Sequence, residues 1–225
     1  MSQGALVRQP VGRALAVVAH PDDEALGCGG TLALLADRGY VVEVLLPLRR
    51  CDPRGVAHWD ALLDAFARSC ATLGAAPLVA DAPMPETRAE THPHELHDLI
   101  VPFVEGADLV LTHWPGDANQ VHRGVARAVE IATRPFRRRR DVYLFEVPSS
   151  TDQAFAVAPG SAFAPNTYAV LDARHARAKL AAVAAYDIEA APGRLPDDVE
   201  RKLRVRGAEV GAEHAEALVT ARRFL

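Results

Sequence analysis

The 225 residues are 49% hydrophobic and 24% charged, and 25 Lys and Arg set against 29 Asp and Glu leave a net charge of -4. That apolar share supports one large core and a single domain over residues 1–225, while the mild acidity argues against nucleic acid or an anionic membrane as partner, since both call for a basic field. No run reaches the roughly 20 apolar residues of a membrane span, the first apolar run is too short for a signal peptide, and Cys28, Cys51 and Cys70 lack CxxC spacing, so the expectation is a cytoplasmic protein with reduced thiols.

Ala14–Ala19 reads as a buried strand. Helical periodicity then runs from about Glu24 to Asp37 and stops at Gly39, and a second strand covers Val41–Leu46. Leu62, Leu63, Phe66, Cys70 and Leu73 share one face of a helix from Trp59 to Leu73 that closes on Gly74. A short strand follows near Leu78–Ala80, then a Pro- and His-rich segment, a helix over about His94–Val104 and a strand at Asp108–Thr112. Val121–Ala132 reads as a helix and Val142–Glu146 as a strand. Residues Pro148–Pro165 read as a loop over the strand ends, Thr167–Leu171 as a strand, and two helices, about Arg174–Tyr186 and Pro196–Arg222, close the chain. Such alternation with short connections predicts an α/β, three-layer Rossmann-like fold, its sheet mostly parallel and covered by helices on both faces.

At the end of the first strand stand His20, Pro21, Asp22, Asp23 and Glu24. One imidazole and three carboxylates at a strand end are costly unless a cation offsets their repulsion. His20 and Asp23, three residues apart across a turn begun by Pro21, can reach one ion, and zinc takes such nitrogen and oxygen ligands. A third ligand must come from elsewhere. The segment after the strand Asp108–Thr112 arrives at the same sheet edge, and His122, at the start of the following helix, is the chosen supplier. Asp22 is then free to act as the base toward a water that the metal acidifies. Zn2+ is the expected ion, although the same ligands accept other divalent transition metals.

The run AVVAHPDDEALGCGGTLA resembles the signature of the LmbE-like, or PIG-L-like, zinc-dependent N-deacetylases, and DANQVHRGV, FEVPSSTD and GAEHAEALVTAR are similar to later segments of that family, the last to its closing helix. The resemblance implies an enzyme that removes an acetyl group from an N-acetylated amino sugar of the N-acetylglucosamine type, with His20, Asp23 and His122 holding zinc and Asp22 as general base. The chain departs from the pattern in two places. Asn119 stands where many relatives carry a histidine, leaving only an amide donor, and Leu62 and Ala65 replace an Arg-x-x-Glu pair. Arg49, Arg50 and Arg54 are candidates for the lost sugar contact, and Asp81 is similar to the family's aspartate after the third strand. Arg49, Asp81 and Asn119 are therefore the candidate substrate contacts. The partner expected is a small N-acetyl sugar; a homo-oligomer stays open. Two other readings stand beside this one: a sugar-binding or regulatory protein that keeps the metal pocket but has lost efficient chemistry, and an amidase acting on a larger conjugate.

Elsewhere, Gly27, Gly29 and Gly30 lie inside a helical pattern without G-x-G-x-x-G spacing, so they read as close helix packing rather than a dinucleotide loop. Arg137–Arg140 reads as an exposed loop.

Overall fold

Along the first strand, β1 (Arg13–Val17), side chains alternate between two apolar layers. Ala14, Ala16 and, just beyond the strand, Val18 enter one core cluster, whereas Leu15, Val17 and Ala19 enter another. A strand covered on both faces has no solvent side, which is why this run is apolar throughout. The computed structural model describes residues 9–155 and 161–225. In chain order β1 is followed by α1 (Gly29–Asp37), β2 (Val41–Arg49), α2 (Pro53–Ala57), α3 (Trp59–Thr72), β3 (Ala76–Pro85), α4 (Pro93–Glu105), β4 (Leu109–His113), α5 (Gln120–Ala132), β5 (Asp141–Phe145), β6 (Thr167–Leu171), α6 (Ala173–Ala184), α7 (Pro196–Ala208) and β7 (His214–Arg222).

The strands form one seven-stranded sheet in the order β3-β2-β1-β4-β5-β7-β6. Neighbours pair in parallel from β3 through β5, and β7 alone runs against its two neighbours, β5 and β6. Leu32, Phe66, Cys70 and Val183, from α1, α3 and α6, pack on one face, and Leu96, Ile100, Val125 and Val129, from α4 and α5, on the other. The α/β, mostly parallel architecture read from the sequence is the one observed. The winding reverses between β1 and β4, so the loops leaving both strands open into one crevice, the usual binding position in such sheets.

Most predicted elements recur with shifted ends; the strand near Leu78–Ala80 lengthens to Ala76–Pro85 and pairs with β2 across a register shift. The short helix α2 was not foreseen; Asp52 caps it, its Oδ1 accepting the Gly55 N–H at 3.0 Å. Residues 156–160 of the predicted Pro148–Pro165 loop lie outside the described residues.

One reading is corrected. The expected closing helix to Arg222, including the segment GAEHAEALVTAR, ends at Ala208; the chain turns at Gly211 (φ 71°), and residues His214–Arg222 form β7 between β5 and β6. Ala, Glu and Leu favour helix intrinsically, but pairing on both sides of the strand overrides that preference. The decisive contact is remote in sequence. Glu216, buried within β7, receives the Lys179 ammonium at 2.6 Å and the backbone N–H groups of Gly30 and Thr31 at 2.8 and 2.6 Å.

Candidate metal centre and active-site cleft

His20 lies three residues past the end of β1, and Asp22 sits in the turn at φ 112°, the one non-glycine positive φ among the described residues. Asp tolerates the positive-φ region better than most residues, yet still at a cost, so the turn must be held by its surroundings. Asp23 Oδ2 accepts the His20 N–H at 2.8 Å, and Glu24 Oε2 accepts the Asp22 N–H at 3.3 Å. A π-helical turn over Glu24–Cys28 then leads into α1, and turns of this kind recur at functional sites. Gly27 is required there, since a Cβ would lie 2.4 Å from the Phe145 ring; this bears out the reading of these glycines as close packing.

Three groups converge beside this turn. His20 Nδ1 lies 3.3 Å from His122 Nε2 and 3.4 Å from Asp23 Oδ2, and His122 Nε2 lies 3.4 Å from Asp23 Oδ1. Bonds of 2.0–2.1 Å to one tetrahedral ion would set its ligands about 3.3–3.4 Å apart. The partners of the remaining ring nitrogens sharpen the fit. His20 Nε2 meets Glu86 Oε2 at 2.9 Å, and His122 Nδ1 meets Asp117 Oδ1 at 3.3 Å. With those nitrogens donating to carboxylates, the two nitrogens that face each other both present lone pairs, next to an anionic carboxylate. Such a donor set has no hydrogen to share and fits a divalent cation. Carboxylates behind ligating histidines are the usual means of fixing ring orientation and tautomer.

Asp117 is itself held by the Asn119 N–H at 2.7 Å, by Ser150 Oγ at 3.0 Å and by the Thr151 hydroxyl. His113, at the end of β4, stacks on His122 with ring centroids 4.1 Å apart. Its Nε2 accepts the Ala19 N–H at 3.0 Å, and burial pushes its pKa down to about 3, so it packs as a neutral ring. Burial opposes ionisation of Asp23 too, but the His122 charge and the hydrogen bonds with His122 and His20 hold its carboxyl well below the usual range. Asp22 is driven upward, first by burial and then by the Asp23 charge, with Arg194 opposing. Against burial, Asp23 and Asp117 raise His122 to about 10.

The cleft over these groups has a volume of about 390 Å³ and is lined by His20, Asp22, Asp23 and His122 together with Arg50, Glu86, Asn119 and Arg194. The structure thus brings together His20, Asp22, Asp23, His122 and Asn119. It does not bring in Asp81 or Arg49. Asp81 is exposed along β3, and Arg49, the last residue of β2, is exposed on the outside of that strand end while Arg50 lines the cleft; successive residues of an extended chain point to opposite sides. Arg54 instead donates to the Ile188 carbonyl. The Asn119 side-chain oxygen accepts the Val121 N–H at 2.8 Å and caps α5. Sequence reasoning missed Glu86, Asp117 as a partner of His122, and Arg194. Asp117 was within reach, because an acid five residues before a ligating histidine in a loop is a candidate support. Glu86 and Arg194 carry no local signal.

The sequence profile of the family described as PIG-L, GlcNAc-PI de-N-acetylase, matches residues 15–133, more than half of the chain and the part that contains His20, Asp22, Asp23 and His122. The chain belongs to the PIG-L family. No curated protein matches this PIG-L member by sequence. Solved structures similar to it include a deacetylase of teicoplanin biosynthesis in complex with teicoplanin (16% identity, TM-score 0.70, covering 94% of this chain and 100% of that one). The N,N'-diacetylchitobiose deacetylase of Pyrococcus horikoshii is another (17%, 0.61, 92% and 82%). A third is GalB, the 4-carboxy-2-hydroxymuconate hydratase of Pseudomonas putida KT2440 (19%, 0.67, 96% and 98%). At these identities the likeness is one of fold. GalB carries out a different reaction from the two deacetylases, so the PIG-L fold alone does not choose the chemistry. Among the described residues, no helix is long and apolar enough to cross a membrane.

Proposed function

We propose that this PIG-L family member, as one domain over residues 1–225, is a metal-dependent hydrolase that removes an acetyl group from an N-acetylated amino sugar of the N-acetylglucosamine type. The observation that carries the reading is the convergence of His20, Asp23 and His122 at 3.3–3.4 Å beside the Asp22 carboxylate in an open cleft. In this reading His20, Asp23 and His122 hold the ion, Zn2+ by donor type, and Asp22 is the general base. Bound there, the ion supplies Lewis acidity toward a carbonyl and acidifies water. Asp22 takes the proton of the attacking water and returns it to the departing nitrogen. Glu86 and Asp117 keep the His20 and His122 rings in place, and Asn119, whose side-chain oxygen is occupied in capping α5, has its amide NH2 left to offer a substrate.

The test is metal analysis of the purified protein followed by an acetate-release assay on a panel of N-acetyl sugars and their conjugates. Stoichiometric divalent metal and acetate release from at least one of them are expected. Bound metal with no acetate from any substrate would favour a binding protein, or a water-addition chemistry of the kind named for GalB.

A further inference from the structure

Arg194 enters the cleft from the segment between α6 and α7. Gly193, at φ 84°, turns the backbone there, its N–H donating to Asp198 Oδ2 at 2.8 Å, and the Arg194 N–H donates to the Ala191 carbonyl at 2.9 Å. The side chain, one-third exposed, thus extends from a fixed base. Its Nη1 donates to Asp22 Oδ2 at 3.1 Å and to Glu189 Oε2 at 3.3 Å. Among the described residues, Nε and Nη2 make no hydrogen bond or ion pair, so most of the guanidinium's five donors are available.

The other guanidinium of the cleft is committed. Arg50 is turned to Asp52, with Nε at 2.8 Å and Nη2 at 2.7 Å, and reaches Glu86 at 3.6 Å. Asn119, its oxygen engaged in the cap, offers only a neutral NH2 donor. Among the described residues, Arg194 is the one cation in direct contact with the carboxylate that takes the proton in the proposed reaction. When the water oxygen forms its bond to the amide carbon, the C=O π pair moves onto the carbonyl oxygen and the water proton moves onto Asp22. Negative charge therefore leaves Asp22 and appears on the oxyanion in one step. A guanidinium with free donors beside Asp22 loses an anionic partner as a new one forms. When the C=O bond re-forms and the C–N bond breaks, Asp22 gives its proton to the nitrogen, yielding acetic acid and an amine, and regains its hold on Arg194.

We propose that Arg194 is a catalytic residue that receives the negative charge of the tetrahedral oxyanion after sharing that of Asp22. The proposal rests on the deacetylase reading for its substrate, but its main test does not. Methylphosphonate, a tetrahedral anion, is titrated calorimetrically into zinc-loaded wild type, Arg194→Lys and Arg194→Ala. The loss of charge-assisted hydrogen bonds should weaken binding by about 10- to 100-fold in Arg194→Ala, with Arg194→Lys between, at unchanged zinc stoichiometry and melting temperature. Wild type that does not bind the anion, or Arg194→Ala binding within twofold of wild type, overturns the role. With a substrate in hand, Arg194→Ala should lose kcat by about 10²- to 10³-fold at nearly constant KM, and added guanidinium should restore part of it; a loss confined to KM, or no rescue, counts against it. Absence of acetate release in wild type removes the deacetylase reading while the anion titration still decides Arg194.

Discussion

The phenol of Tyr186 donates to Glu24 Oε1 at 2.6 Å. Ser69 donates to the same oxygen at 2.5 Å, and Oε2 accepts the backbone N–H of Asp22 at 3.3 Å, so this fully buried carboxyl ties α3 and the end of α6 to the strained turn that carries the candidate base. Burial pushes the Glu24 pKa up to about 7, and the hydrogen bonds from Ser69 and Tyr186 oppose it.

A pH dependence of stability follows. Because the folded protein holds this proton more tightly than the unfolded chain, unfolding releases it between the unfolded pKa near 4.5 and the folded one of about 7. The contribution is complete below that window and is lost as pH rises through it, amounting to about 3 kcal/mol at most. Urea unfolding of metal-stripped wild type and Glu24→Gln, measured from pH 4 to pH 8, should therefore give a difference that falls with rising pH and levels off above about 7. A difference independent of pH would mean that folding leaves the Glu24 pKa unshifted.

Asp22→Asn is the cleaner test of the base. The φ of 112° at this position suits Asn far better than Ala, so the amide keeps the turn while removing basicity. Metal content and melting temperature should stay at wild-type values, and turnover of any substrate found should fall by about 100- to 10,000-fold. Turnover within threefold of wild type would exclude the role.

The sequence exposed the elements whose cause is local. Alternating apolar layers at Ala14–Ala19, the glycine stops at Gly39 and Gly74, and the acid-rich turn after β1 could all be read from neighbours along the chain, and so could the candidacy of His122. What stayed hidden depends on residues far apart. β7 looks helical until it lies between β5 and β6 with Glu216 against Lys179. Glu86 and Arg194, 66 and 172 residues from His20 and Asp22, reach them only through the crevice that the reversal of winding creates. The choice between Arg49 and Arg50 turned on the end of one strand, where a shift of one residue exchanges inside for outside.

The Asp117 carboxylate behind His122 makes a separable prediction. Burial works against its ionisation, but His122 and the donors around it hold its pKa below the ordinary value. Asp117→Asn keeps the size and the bonds from Ser150 and Thr151 but loses the charge that fixes His122. Zinc affinity, read by competition with a chromophoric chelator, should fall by about 10- to 100-fold while the fold persists. Affinity equal to wild type would mean that the His122 ring is oriented by packing against His113 alone.

The buried pair of Lys179 and Glu216 supports the same turn from behind, because the Lys179 ammonium also donates to the Leu26 carbonyl at 2.8 Å within the π-helical segment. Both side chains are nearly inaccessible. Removing one partner of such a pair strands the other charge away from water and costs about 3–5 kcal/mol. Lys179→Met should lower the urea midpoint accordingly, and so should Glu216→Gln, which leaves the Lys179 ammonium without its anion and whose single oxygen can replace only one of the two that accept from the Gly30 and Thr31 N–H groups. The Lys179→Met protein should also bind zinc more weakly, since the segment anchored at Leu26 begins one residue after Asp23. Equal stability of wild type and Lys179→Met in urea would show that the Glu216 charge is balanced by the N-terminal backbone of α1 without the lysine.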